Sequence, residues 1–223
     1  MATLLLQLDG PMQSWGTTSR YDERDTQLEP SKSGVIGLVC AALGRERESP
    51  IDDLAALRMG VRVDREGIIM RDYQTATGVV IASSGKADAG RTVVSPRYFL
   101  SDAVFLVGLE GPHGLLDQID QALRSPRWPL ALGRKSFVPS RPVHLPGALL
   151  DLPLAEALAA WPNLVSDTPT DTPRRGAVED ASEGSVRLDQ PVAAFAQRKF
   201  GPRFVKPVFF RPGGKHAPGP PAA

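Results

Sequence analysis

The first apolar stretch, Thr3-Leu-Leu-Leu-Gln-Leu8, is short and almost unbroken, and Asp9-Gly10-Pro11 ends it with turn residues. A run of that length between turn formers predicts a buried first strand. A long polar connection follows, through Pro30. Beyond it Val35, Leu38, Val39, Ala42 and Leu43 recur at i, i+3, i+4, i+7 and i+8, which predicts a helix with one apolar face. Ser31 or Ser33 can cap its start and Gly44 can close it. Ser49-Pro50 ahead of Asp52 and Asp53 opens a second, short helix that ends near Gly60, because Pro fits the first helical position and carboxylates favour the positive end. Val61 to Val63, a turn at Arg65-Glu66-Gly67, and Ile68 to Thr75 read as the two strands of a hairpin.

Between Thr77 and Ser95, small and flexible residues centred on Ser83 to Gly90 are flanked by β-branched ones, a pattern that predicts a protruding hairpin or loop. Ala103 to Leu109 is a strand, and Leu115, Leu116, Ile119 and Leu123 line one face of a following helix. This order of elements suits an α+β, ferredoxin-like (RRM-like) domain over residues 1–125. A smaller, irregular, β-containing part over 126–210 begins at a Gly/Pro-punctuated stretch. It holds a short helix about Pro153 to Ala160, a polar loop from Ser166 to Gly176 and a late strand from Phe204 to Phe210. Residues 211–223 carry too little apolar surface to fold, so a disordered tail is expected.

Composition narrows the class. A chain of 223 residues with 42% apolar positions can build a substantial core without staples. Its single cysteine, Cys40, sits inside the helical pattern, which excludes a disulfide framework and fits a buried thiol in a reducing, cytoplasmic setting. No apolar run approaches the ~20 residues of a membrane span, and the start MATLLLQLDG lacks the basic region of a signal peptide. The 26 basic and 25 acidic residues nearly cancel, but they are unevenly spread. Arg134, Lys135 and Arg141 lie in a stretch without carboxylates, as do Arg198, Lys199, Arg203 and Lys206. Such clusters can neutralise phosphates or simply form a solvated face.

The residues that carry chemistry are few. Lys32-Ser33 opens a helix, but Thr26 and Ser31 stand where a phosphate-binding loop of the Walker type needs glycines, so nucleotide hydrolysis is not expected. A helix start bearing Ser and Lys can still hold one backbone phosphate, or can be a plain cap beside a solvated lysine. Trp15, with Gln13, Ser14 and Gly16, can stack on a base or plug its loop into the core. Gly133-Arg134-Lys135-Ser136 can set amides and cations against a phosphate, and Arg71 to Thr75 alternates polar residues along a strand, with Tyr73 facing solvent or the core. His113, His144 and His216 stand in no metal-ligand spacing, so neither a metal nor another cofactor is expected.

Gly10-Pro-Met-Gln-Ser-Trp-Gly16, Pro30-Ser-Lys-Ser-Gly-Val-Ile-Gly37 and Ala41-Ala-Leu-Gly44 together resemble the fifth numbered family of CRISPR-associated (Cas) proteins in its type I-E form, the CasD subunits of Cascade within the RAMP superfamily. The resemblance continues in Arg71-Asp-Tyr-Gln-Thr75, Tyr98 to Phe105 and Leu132-Gly-Arg-Lys-Ser136, and more weakly in Arg198-Lys-Phe200. It implies a noncatalytic RNA-binding subunit whose RAMP domain holds the 5′ handle of the CRISPR RNA and whose hairpin thumb, about residues 77–95, packs on a neighbouring subunit. The implied partners are the CRISPR RNA, the backbone RAMP subunits, the large subunit and, through the assembled complex, target DNA. The RNA contacts expected on this reading are Gln13, Ser14, Trp15, Gly16, Lys32 and Ser33 from the first two motifs. Arg71, Tyr73, Arg134, Lys135, Ser136 and Arg198 complete the set. Members of a sister subtype cut precursor RNA without metal through Tyr, Lys and His, and Lys215-His216 is the pair here that such an endoribonuclease reading would use. A role in assembly through protein contacts alone is the third alternative.

Overall fold

The structure is a computed structural model, and it describes residues 1–17, 23–80, 85–86, 88–166 and 172–211. Strand β1 (Ala2–Asp9) lies inside a seven-stranded sheet with neighbours on both edges, β6 (Val104–Gly111) and β7 (His144–Leu150), both antiparallel to it. Its apolar run is continuous because both faces are covered. Leu4, Leu6 and Leu8 point to a core closed by helices α1 (Lys32–Leu43) and α3 (His113–Arg124), while Leu5 points to the opposite face, under α4 (Leu154–Ala160). Burying leucines on both faces removes the polar alternation that a half-exposed strand would show.

The expected hairpin of Val61–Val63 with Ile68–Thr75 does not form. After the short helix α2 (Asp52–Ala55), β3 (Arg58–Arg65) enters the large sheet between β6 and β8 (Arg174–Asp180). The chain then changes sheets. Strand β4 (Ile68–Thr77) pairs with β5 (Thr92–Ser101) over its whole length, and the two-residue β2 (Met12–Gln13) completes a separate three-stranded sheet. A hairpin between β3 and β4 is ruled out by burial. Residues Met59 to Asp64 are buried, whereas Ile68 to Arg71 are exposed, so one pairing would need one strand in two environments. Parts of the tip of the β4–β5 hairpin lie outside the described residues.

The large sheet runs β7-β1-β6-β3-β8-β10-β9, where β9 is Ser185–Pro191 and β10 is Phe200–Phe210. The C-terminal strands therefore extend the sheet from the free edge of β3. Helix α1 begins with Ser31 as its cap, the Oγ accepting from the Gly34 N–H, and ends at Gly44 in the left-handed conformation. Cys40 is buried in this helix, and burial pushes its thiol up to about 11.

Candidate nucleic-acid interface

The polar connection after β1 is held against the edge of β5 at two points. Met12 and Gln13 pair with Ser101 and Leu100, and further along Arg24 bridges to Arg97. Between them Ser14 donates its N–H to the Leu132 carbonyl (3.0 Å) and its hydroxyl to the Tyr98 carbonyl (3.3 Å), which ties the connection to the Leu132–Phe137 loop. Trp15 is buried, at 1% exposure. Its Nε1–H donates to Gln13 Oε1 (3.2 Å), and the Gln13 amide donates in turn to the carbonyls of Leu8 (3.1 Å) and Ala103 (2.8 Å). The ring lies on α1 where Gly34 leaves room, since a Cβ there would stand 2.8 Å from Trp15 Cε3. Trp15 and Gln13, expected to contact a base, are turned inward in this structure. Both groups have protein partners on every polar atom and brace the loop that carries Ser14 and Gly16.

Lys32, expected to meet a phosphate, is also turned inward. Its ammonium is buried, at 1% exposure, and bonds both carboxylate oxygens of Glu179 on β8 at 3.0 Å. Burial pulls the ammonium below its ordinary value, against the opposing pull of Glu179. The helix start that could hold a phosphate is already filled by an anion of the chain itself: the Lys32 N–H donates to Asp189 Oδ2 (2.8 Å), and Arg203 clasps the same carboxylate at 2.6 and 2.9 Å. Basic residues that look unpaired along the sequence find carboxylates across the fold, Arg203 at Asp189 and Arg141 at Asp9. Lys32→Met is expected to lower stability by about 1–3 kcal/mol, since Glu179 loses its principal donor. Urea denaturation checks the loss, and a changed salt dependence of RNA affinity in the same variant would restore Lys32 as a phosphate contact.

What the structure does bring together is an open cleft of about 270 Å³. Ser14 and Gly16 of the first motif, Ser31, Ser33 and Gly34 of the second, and Gly133 and Arg134 of the loop after α3 line it. That loop is tight, closed by Leu132 N–H to Phe137 O (2.8 Å) and Phe137 N–H to Arg134 O (2.9 Å). Gly133 turns it with φ +93°, its Cα so near Ser14 that a Cβ would stand 1.7 Å from the Ser14 carbonyl oxygen. Arg134 Nη2 donates to the Tyr98 carbonyl (2.9 Å), and its guanidinium lies over the Phe137 ring, 5.3 Å from the centroid. Burial and the nearby charges of Arg97 and Arg24 lower its pKa, partly opposed by Asp72 and Asp25. The cleft thus carries two guanidiniums, those of Arg24 and Arg134, with Asp25 beside them.

Arg24, Arg97 and Asp25 were not singled out from sequence, nor was the cleft-lining ring of Phe195, and Phe200 stood only at the end of the weaker Arg198-Lys-Phe200 motif without a role. Arg24 and Asp25 sit among mixed charges, and only the bridge to β5 shows that they belong to the site. The phenylalanines come from the far end of the chain. Arg198, exposed in a turn with φ 50°, lies between them in sequence. Lys135 and Ser136 are exposed at the loop tip beside Arg134. Arg71 and Tyr73 are exposed on β4, the Arg71 guanidinium 6.0 Å from the Tyr73 ring centroid, and Arg71 is in register with Tyr98 on β5.

Among the described residues no group of three or more His, Cys, Asp or Glu is arranged to hold a metal ion, and no helix is long and apolar enough to cross a membrane. His144 Nε2 stands 3.1 Å from Asp120 on α3, and Lys215-His216 lies outside the described residues.

An α+β chain with a mostly antiparallel sheet and these motifs around one cationic cleft falls among the CRISPR-associated proteins. Residues 3–206 match the family model described as CRISPR-associated protein (Cas_Cas5), and the chain belongs to that Cas5 family. It is 33% identical over 156 residues to the CRISPR system Cascade subunit CasD of Escherichia coli (strain K12), across 64% of this chain and 69% of that protein. A crystal structure of a Cas protein superposes with a TM-score of 0.78 at 48% identity, covering 96% of this chain and 100% of the other. A chain of a CRISPR RNA-guided surveillance complex superposes with a TM-score of 0.76 at 33% identity, covering 98% and 94%.

Proposed function

We propose that this chain is a noncatalytic, RNA-binding subunit of a type I-E Cascade complex that holds the 5′ handle of the CRISPR RNA in the cytoplasm. The observation that carries the reading is the cleft, where Ser14, Ser33 and Arg134 from three separate motifs meet Arg24. Membership in the Cas5 family and the likeness to CasD and to a surveillance-complex chain support it. The order β7-β1-β6-β3 is that of the fourth, first, third and second strands of a β-α-β-β-α-β unit, which supports a ferredoxin-like RAMP core. The β4–β5 hairpin, a long insertion into that unit with Ile69, Met70 and Tyr73 about half exposed or more, is then the thumb that meets a backbone subunit. The large subunit and, through the assembled complex, target DNA complete the set of partners.

Replacing Arg24 and Arg134 together by Ala is expected to weaken binding of the full chain to handle RNA. The log–log salt dependence should flatten by about 1.4, since each single-strand phosphate contact contributes about 0.7. Measuring affinity by fluorescence anisotropy across salt checks it, and an unchanged slope would overturn the assignment. Labelled repeat RNA incubated with the chain in EDTA should stay intact. Specific cleavage that disappears in a His variant would favour the endoribonuclease instead.

A further inference from the structure

The cleft has a wall that phosphate binding does not require. Phe195 and Phe200 line it opposite no cation of their own, on the C-terminal segment. Phe195 belongs to a single 3-10 turn packed on α1, its Cζ 3.8 Å from where a Cβ on Gly37 would stand, and the turn is pinned by the Ala196 N–H to the Arg47 carbonyl (2.9 Å). Arg198 in the left-handed region then reverses the chain so that β10 starts at Phe200, in register with Pro191. Phe200 remains 42% exposed although it is a large apolar ring at the mouth of a concave site. An aromatic surface held rigidly beside Arg24 and Arg134 matches the two halves of a nucleotide, a flat ring and an anion.

We propose that this cleft seats one unpaired nucleotide of the bound RNA, its base laid against Phe200 with Phe195 behind, and an adjoining phosphate against Arg24 and Arg134. The proposal rests on the handle-binding reading and specifies where in the site one base goes. Stacking on a phenylalanine reads any base, so the subsite fixes the position of a nucleotide rather than its identity. It also gives the C-terminal strands a direct part in the RNA site, which the Arg198-Lys-Phe200 motif otherwise lacks.

The test uses the full chain and a set of handle RNAs, each with one abasic nucleotide. Wild-type affinity should fall roughly 10- to 100-fold at one position, the factor that base–aromatic stacking carries. Phe200→Ala should weaken intact RNA by a similar factor, abolish the penalty at that position and leave the other positions unchanged, while Phe200→Trp restores it. A Phe200→Ala effect that simply multiplies with every abasic penalty, or no special position in the wild type, overturns the subsite alone. Failure of the wild-type chain to bind any handle RNA overturns the handle reading and the subsite with it.

Discussion

Asp189→Ala is expected to destabilise the chain by about 3–5 kcal/mol, the cost of leaving buried charges without their partner. Asp189 is 1% exposed, and its carboxylate is shared by the Arg203 guanidinium and the first N–H of α1. Without it Arg203 keeps, among the described residues, only the carboxylate of Glu179, at 3.8 Å, and that same Glu179 must also neutralise Lys32. The site would feel the loss as well, because this network fixes the first turn of α1, where Ser31, Ser33 and Gly34 line the cleft. The pH dependence has a definite sign. Burial pushes Asp189 up, but the Arg203 hydrogen bonds and charge and the Lys32 N–H outweigh it and hold the carboxyl below its usual range. A group whose folded pKa is depressed contributes stability above its unfolded value, near 3.9, and loses it as pH falls through the folded value. Wild-type stability should therefore drop steeply below about pH 4, and the drop should be shallower in Asp189→Ala. Urea unfolding at neutral and acid pH measures both, and a variant with an unchanged neutral midpoint would show that the network is not what anchors α1.

The second large effect is at Gly133. In Gly133→Ala the new Cβ would stand 1.7 Å from the Ser14 carbonyl oxygen, on a residue with φ +93°. No side chain can rotate away from a clash made by Cβ itself, so the Leu132–Phe137 loop or the Gln13–Gly16 connection must move. Strain of that kind costs on the order of 1–3 kcal/mol. The displaced groups include Arg134 and Ser14, so handle affinity should fall by at least tenfold, while helix α4 on the far face of the sheet stays folded. Comparing RNA affinity with the unfolding midpoint separates the two effects. Unaltered binding in Gly133→Ala would mean that the loop takes no part in the interface.

The elements that local pattern could predict are those whose burial is simple. Helix α1 appears where Val35, Leu38 and Val39 set a 3.6-residue period, and both its caps are residues whose chemistry ends helices, Ser31 and Gly44. The strand at Val104–Gly111 is a buried run and reads as one. Strands β7, β8 and β9 were not legible, because His144, Arg174 and Asp189 interrupt their apolar pattern, and each of these groups finds a partner only on another element of the fold. The partners of β3 and β4 were misread for a related reason: sequence adjacency favours a hairpin, but burial sends the two strands to different sheets.

The site divides in the same way. The motifs around Trp15, Lys32 and Arg134 could be singled out by the resemblance and by Gly, Ser and basic residues of the types that let a backbone approach a phosphate, and the fold brings residues of all three to one cleft. Which of them face outward could not be read, because a lysine before a serine is the same string whether it meets a phosphate or Glu179. Tertiary packing decided that Trp15, Gln13 and Lys32 turn inward while Ser33, Gly16 and Arg134 border the cleft. It also brought Arg24 and Phe195 to that cleft from segments with no local signal. Local sequence sets the conformations and caps that short-range sterics and hydrogen bonds can enforce; only the folded chain settles which charge is paid in burial and which is left to a ligand, because that depends on partners more than a hundred residues away.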